Sequence, residues 1–365
     1  MAARIHDDIT SPSQAEPERH GLDRRGILRT GAIGSALAAV AGVRGAKAAD
    51  LVPTHPKFRF VFVNHVTTNP FFTATQNGMR DACALFGATS QWTGSANSVA
   101  AEMVSAMNSA IAAKADAIAV CLVDPHAFND PVERALAAGI PVFAYNADAP
   151  ISSGNKRLAY IGQDLFKAGQ LMGQKILELV PSGRVALFIA TPGQLNIQPR
   201  IDGAQDVLRK SGRNYQIDIV ATGATVNEEI SKVKAYYLGH QDVKGMFAVD
   251  GGTTQGIAEA MQQYSLPAKG VHGGGFDLLP QTLQLISEGN LDFTIDQQPY
   301  LQGYYTVMEM FNFLVSGGLV GPADINTGLK FVTKGNVGPY LSTKTRYEGS
   351  ATAVEFIKRS GAIQT

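Results

Sequence analysis

Cysteine, tryptophan and net charge are what this chain most lacks. Its 365 residues hold two cysteines, Cys83 and Cys121, and one tryptophan. Two thiols with no histidine or third cysteine at ligand spacing exclude a zinc ribbon or a disulfide-built scaffold. Cys83 falls in a predicted helix and Cys121 at a strand end, so each is expected as a small buried hydrophobe. The 31 basic residues equal the 31 acidic ones. Residues 1–48 carry seven Lys/Arg and five Asp/Glu, which leaves 24 against 26 for the rest. Nothing in that balance recruits nucleic acid or an anionic membrane.

The signatures of common enzyme classes are missing too. No GxGxxG follows the first predicted strand, and no GxxxxGK[ST] is present, so dinucleotide and P-loop sites lack the glycines that admit phosphates. HExxH and GxSxG are absent. The seven histidines are scattered without metal-ligand spacing. His272-Gly273-Gly274-Gly275 superficially looks like esterase oxyanion-hole glycines. With no nucleophile elbow, these glycines are expected instead to end a strand where a ligand comes close. Neither a cofactor nor a metal is expected, and the chain does not read as an enzyme.

What is present begins with a leader. Arg24-Arg25 precedes a weakly hydrophobic run from Gly31 to Val43, and Ala46-Lys47-Ala48 supplies small residues around a cleavage site. Residues 1–48 resemble a twin-arginine export signal, which implies a periplasmic or other extracytoplasmic location. The run is too short to span a bilayer, and no later window is apolar for about twenty residues, so a soluble mature protein is expected.

After the leader, strands and helices alternate. Strands are predicted at 58–63, 88–92, 117–123 and 141–145, with helices at 70–86, 99–113 and 131–138 between them. A second run follows, with strands at 158–161, 184–190, 215–221, 245–249, 269–275 and 291–295. Helices at 165–180, 199–211, 227–238, 253–264 and 278–289 separate these strands, and a further helix spans 299–315. Residues 317–327 read as loop and 329–332 as a last strand. The fold class is α/β, with two parallel, doubly wound lobes laid down from the same module. Three crossings between the lobes would form a hinge.

Phe60–Phe72, FVFVNHVTTNPFF, organises the first lobe. An apolar strand gives way to a polar turn, and Pro70 suits a first helical turn. Asn69 therefore stands at the mouth of a helix beside two phenylalanines, where open α/β sheets bind ligands. Both rings cannot point the same way, so one of Phe71 and Phe72 is expected in the core. Other polar residues recur at carboxyl ends of predicted strands: Asn146, Arg200, Asp250, Asp277 and Gln297. An Asn or Asp at such a junction ordinarily caps a helix. Arg200 caps nothing there, because the helix dipole disfavours a cation, and a planar fork aimed into a cleft explains it better. Trp92 and Tyr145 either line the cleft or pack at strand ends. Asp164 and Lys167 read as a solvated or capping face. An amide beside flat rings suits a sugar or polyol.

The ordered set TTNPFF, AxxAGIPV at 135–142, YIGQD at 160–164, GGFD at 274–277 and FTIDQQP at 293–299 resembles one family. It is the ribose-binding-protein-like, type I periplasmic sugar-binding proteins of ABC transporters. The resemblance covers about residues 58–332. It implies an N-terminal lobe of 57–161 plus 298–328, a C-terminal lobe of 162–297 plus 329–365, and a three-stranded hinge that closes on ligand. It assigns ligand contacts to Asn69, Phe71, Phe72, Asn146, Arg200, Asp250, Asp277 and Gln297. It implies a permease partner, a monomer and no nucleic acid. Asn146-Ala147 departs from the Asp-Arg pair usual in ribose-type members, which argues against ribose and for another sugar, a polyol or another small hydroxylated ligand. A sugar-responsive repressor shares this fold but needs a helix-turn-helix, and an export signal stands in its place. A chemosensory or quorum-signal receptor of a furanosyl signal and an exported α/β enzyme are the other readings.

Overall fold

The computed structural model describes residues 54–319 and 321–342; residues 1–53, among them the segment expected to be an export signal, and 343–365 lie outside them. Two six-stranded sheets organise the chain. The first holds β1 (Arg59–Asn64), β2 (Thr89–Gly94), β3 (Ala117–Val120), β4 (Val142–Tyr145), β5 (Tyr160–Gly162) and β11 (Asp324–Asn326). Its spatial order is β11-β5-β4-β3-β1-β2, parallel throughout. The second holds β6 (Gly183–Ile189), β7 (Tyr215–Ala221), β8 (Gly245–Ala248), β9 (His272–Phe276), β10 (Phe293–Asp296) and β12 (Lys330–Val332). Its order is β12-β10-β9-β8-β6-β7, and β12 alone is antiparallel.

The strand sequences explain these positions. Phe60, Val61, Phe62 and Val63 are at most 1% exposed, as a central strand covered on both faces requires. The edge strands β2, TSQWTG, and β7, YQIDIVA, are only partly buried. In each sheet the chain adds one strand to one side and then reverses, between β1 and β3 and again between β6 and β8. Reversals of that kind open a crevice at the carboxyl ends of the strands.

The helices are α1 (Phe72–Leu85), α2 (Ala100–Ala112), α3 (Asn129–Ala137), α4 (Leu165–Leu179), α5 (Gln198–Lys210), α6 (Val226–Gly239), α7 (Gly251–Gln263), α8 (Pro280–Glu288), α9 (Pro299–Val315) and α10 (Gly338–Leu341). Their expected positions agree to within two residues at most ends. One expectation fails: residues 317–327, read as loop, contain β11. Asp-Ile-Asn has no apolar pattern, and it becomes a strand only by pairing with Tyr160–Gly162. Cys83 and Cys121 are buried and unpaired.

The chain passes between the sheets three times: around Gln163, around Gln297-Gln298, and from Thr327 to Leu329. These crossings are tied to one another. Thr327 N–H donates to Gly162 O at 2.8 Å, Thr327 Oγ1 to Gln297 O at 2.9 Å, and Gln298 Nε2 to Thr327 O at 2.9 Å. Gln163 Nε2 donates to Gly328 O at 3.2 Å.

Directly after the second crossing, α9 lies against α1 at backbone contact. A Cβ on Gly78 would stand 2.0 Å from Tyr300 O, and one on Gly303 would stand 2.0 Å from Thr75 O. Alanine normally stabilises a helix over glycine by about 0.5–1 kcal/mol. Here overpacking outweighs that gain, and Gly78→Ala is expected to destabilise by roughly 1–3 kcal/mol. A urea titration should show a lower midpoint at unchanged slope; a raised midpoint would contradict the close approach.

Candidate functional site

Residues from the carboxyl ends of both sheets meet around one cavity of about 50 Å³, lined by Asn69, Phe71, Phe72 and Asn146 from one lobe and by Arg200, Asp250 and Asp277 from the other, with Gln297 at the second crossing. All eight residues singled out in the sequence thus line it. A second cavity of about 50 Å³ shares six of its lining residues, among them Asn69, Asn196 and Asp250. One water needs roughly 10–15 Å³, so each has room for several non-hydrogen atoms. The lobes touch beside these cavities. Leu195 N–H donates to Val123 O at 2.9 Å, His65 Nε2 and Asn196 Nδ2 lie 3.1 Å apart, and Gln194 Nε2 donates to Ser98 O at 2.8 Å. The cleft is closed.

Asn69 Oδ1 accepts from Phe71 N–H at 3.0 Å, so the amide first organises its own turn, and α1 begins two residues after Pro70. Phe72 is 1% exposed and meets Phe71 edge-on, ring centroids 4.7 Å apart. Phe72 is thus the core member of the pair, although both rings reach the cavity. Asp250 is the expected cap: Oδ1 accepts from Thr253 N–H at 2.9 Å and Oδ2 from Ala190 N–H at 3.1 Å. It lines the cavity while capping, so the two roles are not exclusive.

The Arg200 fork is turned away from where the sequence placed it. Nη1 donates to Val249 O at 2.8 Å and Nη2 to Gln163 Oε1 at 3.0 Å, and the guanidinium lies 4.1 Å over the Phe276 ring. Backbone and hinge acceptors buried nearby hold both ends of the fork, and only Nε has no partner. Asp277 Oδ1 accepts from Gln297 Nε2 at 2.6 Å, and Asn146 Nδ2 donates to Gln302 Oε1 at 3.2 Å. Asn146 and Asp277 both have left-handed backbones, φ 63° and 78°. Asn and Asp tolerate that conformation best among non-glycine residues, and such strain gathers at functional sites.

Two expectations resolve toward packing. Tyr145 is fully buried, its hydroxyl accepting from Asn64 Nδ2 at 3.0 Å, and Trp92 Nε1 donates to Thr67 O at 3.2 Å; neither ring lines the cavities. The β9 glycines do not make room for a ligand. A Cβ on Gly274 would strike the Phe293 ring at 2.4 Å, and one on Gly275 would strike Thr254 Oγ1 at 2.2 Å. Asp164 caps α4, accepting from Lys167 N–H at 2.9 Å.

His65, Asn196 and Gly251 also line the first cavity and were not anticipated. Each follows a strand end or precedes a helix, the same signal that marked the others. Burial pushes His65 down to about 3, so its imidazole is neutral. His65 Nδ1, Asn196 Oδ1 and Arg200 Nε are buried without a hydrogen-bond partner. A polar group without a partner costs about 1–3 kcal/mol. The three residues that carry these atoms line this one cavity, beside the Phe71 and Phe72 rings.

Two lobes, three crossings and a polar cleft at the strand ends define a two-lobed solute-binding protein. The periplasmic binding protein domain matches residues 60–318. The chain is 52% identical over 314 residues to a xylose/arabinose-binding protein of Sulfolobus acidocaldarius, covering 83% of this chain and 77% of the relative. A solute-binding protein of an ABC transporter from Burkholderia graminis, solved with D-arabinose, is 26% identical with a TM-score of 0.72, over 79% of this chain and 99% of that one. A carbohydrate transporter protein from Acidothermus cellulolyticus, solved with myo-inositol, is 26% identical with a TM-score of 0.69, over 81% and 100%. The chain belongs to the periplasmic binding protein family.

Asp277 supplies a pH test of the site. Burial pushes its carboxyl up to about 7, against the opposing pull of Arg200 and of the Gln297 hydrogen bond. Between about pH 4 and 7 the folded chain keeps a proton that the unfolded chain has lost. That contribution to stability is complete below about pH 4 and is lost as pH rises through about 7. The parent chain should therefore lose stability across this window more steeply than Asp277→Asn, by up to ~1.4 kcal/mol per pH unit. Urea titrations at several pH values measure the difference, and parallel profiles would show that Asp277 is not buried as described.

Proposed function

We propose that this protein is the extracytoplasmic receptor of an ABC importer and takes a small sugar or polyol, pentoses foremost, into the cleft between its lobes. The observation that carries the reading is the ring of buried polar atoms without partners around the first cavity, contributed by both lobes. The 52% identity to a xylose/arabinose-binding protein supports a pentose of the xylose or arabinose type over ribose. The neutral Asn146-Ala147 pair agrees with that preference. The ligand contacts proposed are Asn69, Phe71, Phe72, Asn146, Arg200, Asp250, Asp277 and Gln297, joined by His65 and Asn196.

In this reading Asp277 accepts from ligand hydroxyls and Arg200 Nε donates to one. Charge-assisted bonds of this kind strengthen in a desolvated cleft. A hydroxyl on the wrong carbon leaves a buried group stranded, which is how a closed site separates epimers. The division into lobes at 161/162, 297/298 and 328/329 belongs to the proposal and draws support from the three crossing segments. A monomeric state, a permease partner and export through the Arg24-Arg25 leader belong to the proposal as well.

A thermal-shift screen against pentoses, hexoses, polyols and nucleosides tests the reading, since a ligand that binds only the folded chain raises Tm by mass action. D-xylose or an arabinose should give a clear shift. Asp277→Ala and Arg200→Ala should then each weaken that ligand roughly 10–100-fold, from the ~1.5–3 kcal/mol of a hydrogen bond to a charged group. No shift with any sugar or polyol would overturn the assignment, and affinities within twofold of the parent would overturn the roles of these two residues.

A further inference from the structure

Glu229 lies in the first turn of α6 and is 2% exposed. Its carboxyl reaches the first turn of α7, where Gly252 leaves space for it: a Cβ there would lie 1.6 Å from Glu229 Oε2. It shares a hydrogen bond with the Asp250 carboxyl, and Oε2 receives no N–H or O–H donor. Two carboxyls so close cannot both ionise. Burial first, then the neighbouring Asp250, pushes the Glu229 carboxyl well above the usual range, so Glu229 holds the proton. Its one proton serves the bond with Asp250, which leaves Oε2 to accept from a sugar hydroxyl.

Glu229 lines the second cavity together with His65, Asn196 and Ala224. His65 is 6% exposed and Asn196 8%, and each has a polar atom without a partner. Three of the seven buried, partnerless side-chain atoms among the described residues therefore belong to residues of this cavity. Such atoms cluster where a ligand completes them. The two cavities share six lining residues and so adjoin, and a ligand that spans both would be held by Asp277 and Arg200 in the first and meet Glu229 in the second.

We propose that the ligand does so, and that Glu229 Oε2 accepts a hydrogen bond there from one of its hydroxyls, making Glu229 a specificity-determining residue of the cleft. The inference rests on the sugar-receptor reading and names a contact beyond it. Calorimetric titration of the full chain tests it, using the tightest-binding sugar and its monodeoxy analogues on the parent, Glu229→Ala and Glu229→Gln.

Glu229→Ala should weaken the parent sugar tenfold or more. For one monodeoxy analogue, the parent and Glu229→Ala should bind within twofold of each other, because the hydroxyl and the carboxyl lose the same bond. Glu229→Gln, which keeps a donor and an acceptor, should lose less than Glu229→Ala. If Glu229→Ala fails to fold, the deoxy series on Glu229→Gln decides by the same non-additivity. Unchanged affinity, or an equal loss against every analogue, would overturn the inference and reduce Glu229 to a support for Asp250. A parent chain that binds no sugar would overturn the receptor reading itself, and this inference with it.

Discussion

Polar groups held out of water without partners are the constraint on which this structure depends. His65 Nδ1, Asn196 Oδ1 and Arg200 Nε sit in a closed cleft, and each carries a desolvation cost in the unliganded protein. A fold optimised only for stability would have given them apolar neighbours or hydrogen-bond partners. The costs are carried by two large apolar interiors, exemplified by the fully buried Phe60, Phe62, Phe188 and Phe247 in the central strands. In the proposed function, ligand hydroxyls remove those costs at the moment of binding, so affinity and closure arise from the same atoms.

The hinge is part of that arrangement. Gln163 receives the Arg200 guanidinium through Oε1 and donates to Gly328 O through Nε2. Gln302 bridges Asn146 and Gln297, and Gln297 reaches Asp277. Arg200 and Asp277 are therefore each one hydrogen bond from a crossing segment. The lobe angle and the contact geometry are set together. A hinge built from long neutral amides can exchange partners as the lobes move without stranding a charge.

Much of this was legible in the amino-acid order. Continuous apolar runs such as FVFV and AIAV announced central strands, and the alternation with helices announced two parallel lobes. The site residues were legible because open α/β sheets expose their strand ends, so Asn69, Asn146, Asp250 and Asp277 could be read from position alone. What escaped depended on neighbours distant in sequence. β11 exists through its pairing with β5, and the Arg200 fork is claimed by Val249 and Gln163. The glycines of HGGG make room for Phe293 and Thr254 rather than for a ligand. Glu229 lies in the first turn of α6, where an acidic residue is commonplace, and its burial follows from the absence of a side chain at Gly252.

A crystal structure of the chain with its tightest-binding pentose would test the central claim most directly. If the partnerless groups are the ligand site, the sugar lies between Phe71 and Asp277, with hydroxyls within about 3.2 Å of Arg200 Nε, Asn196 Oδ1 and an Asp277 oxygen. A sugar seated elsewhere, or one in the cleft with no hydroxyl within about 3.5 Å of these atoms, would contradict it.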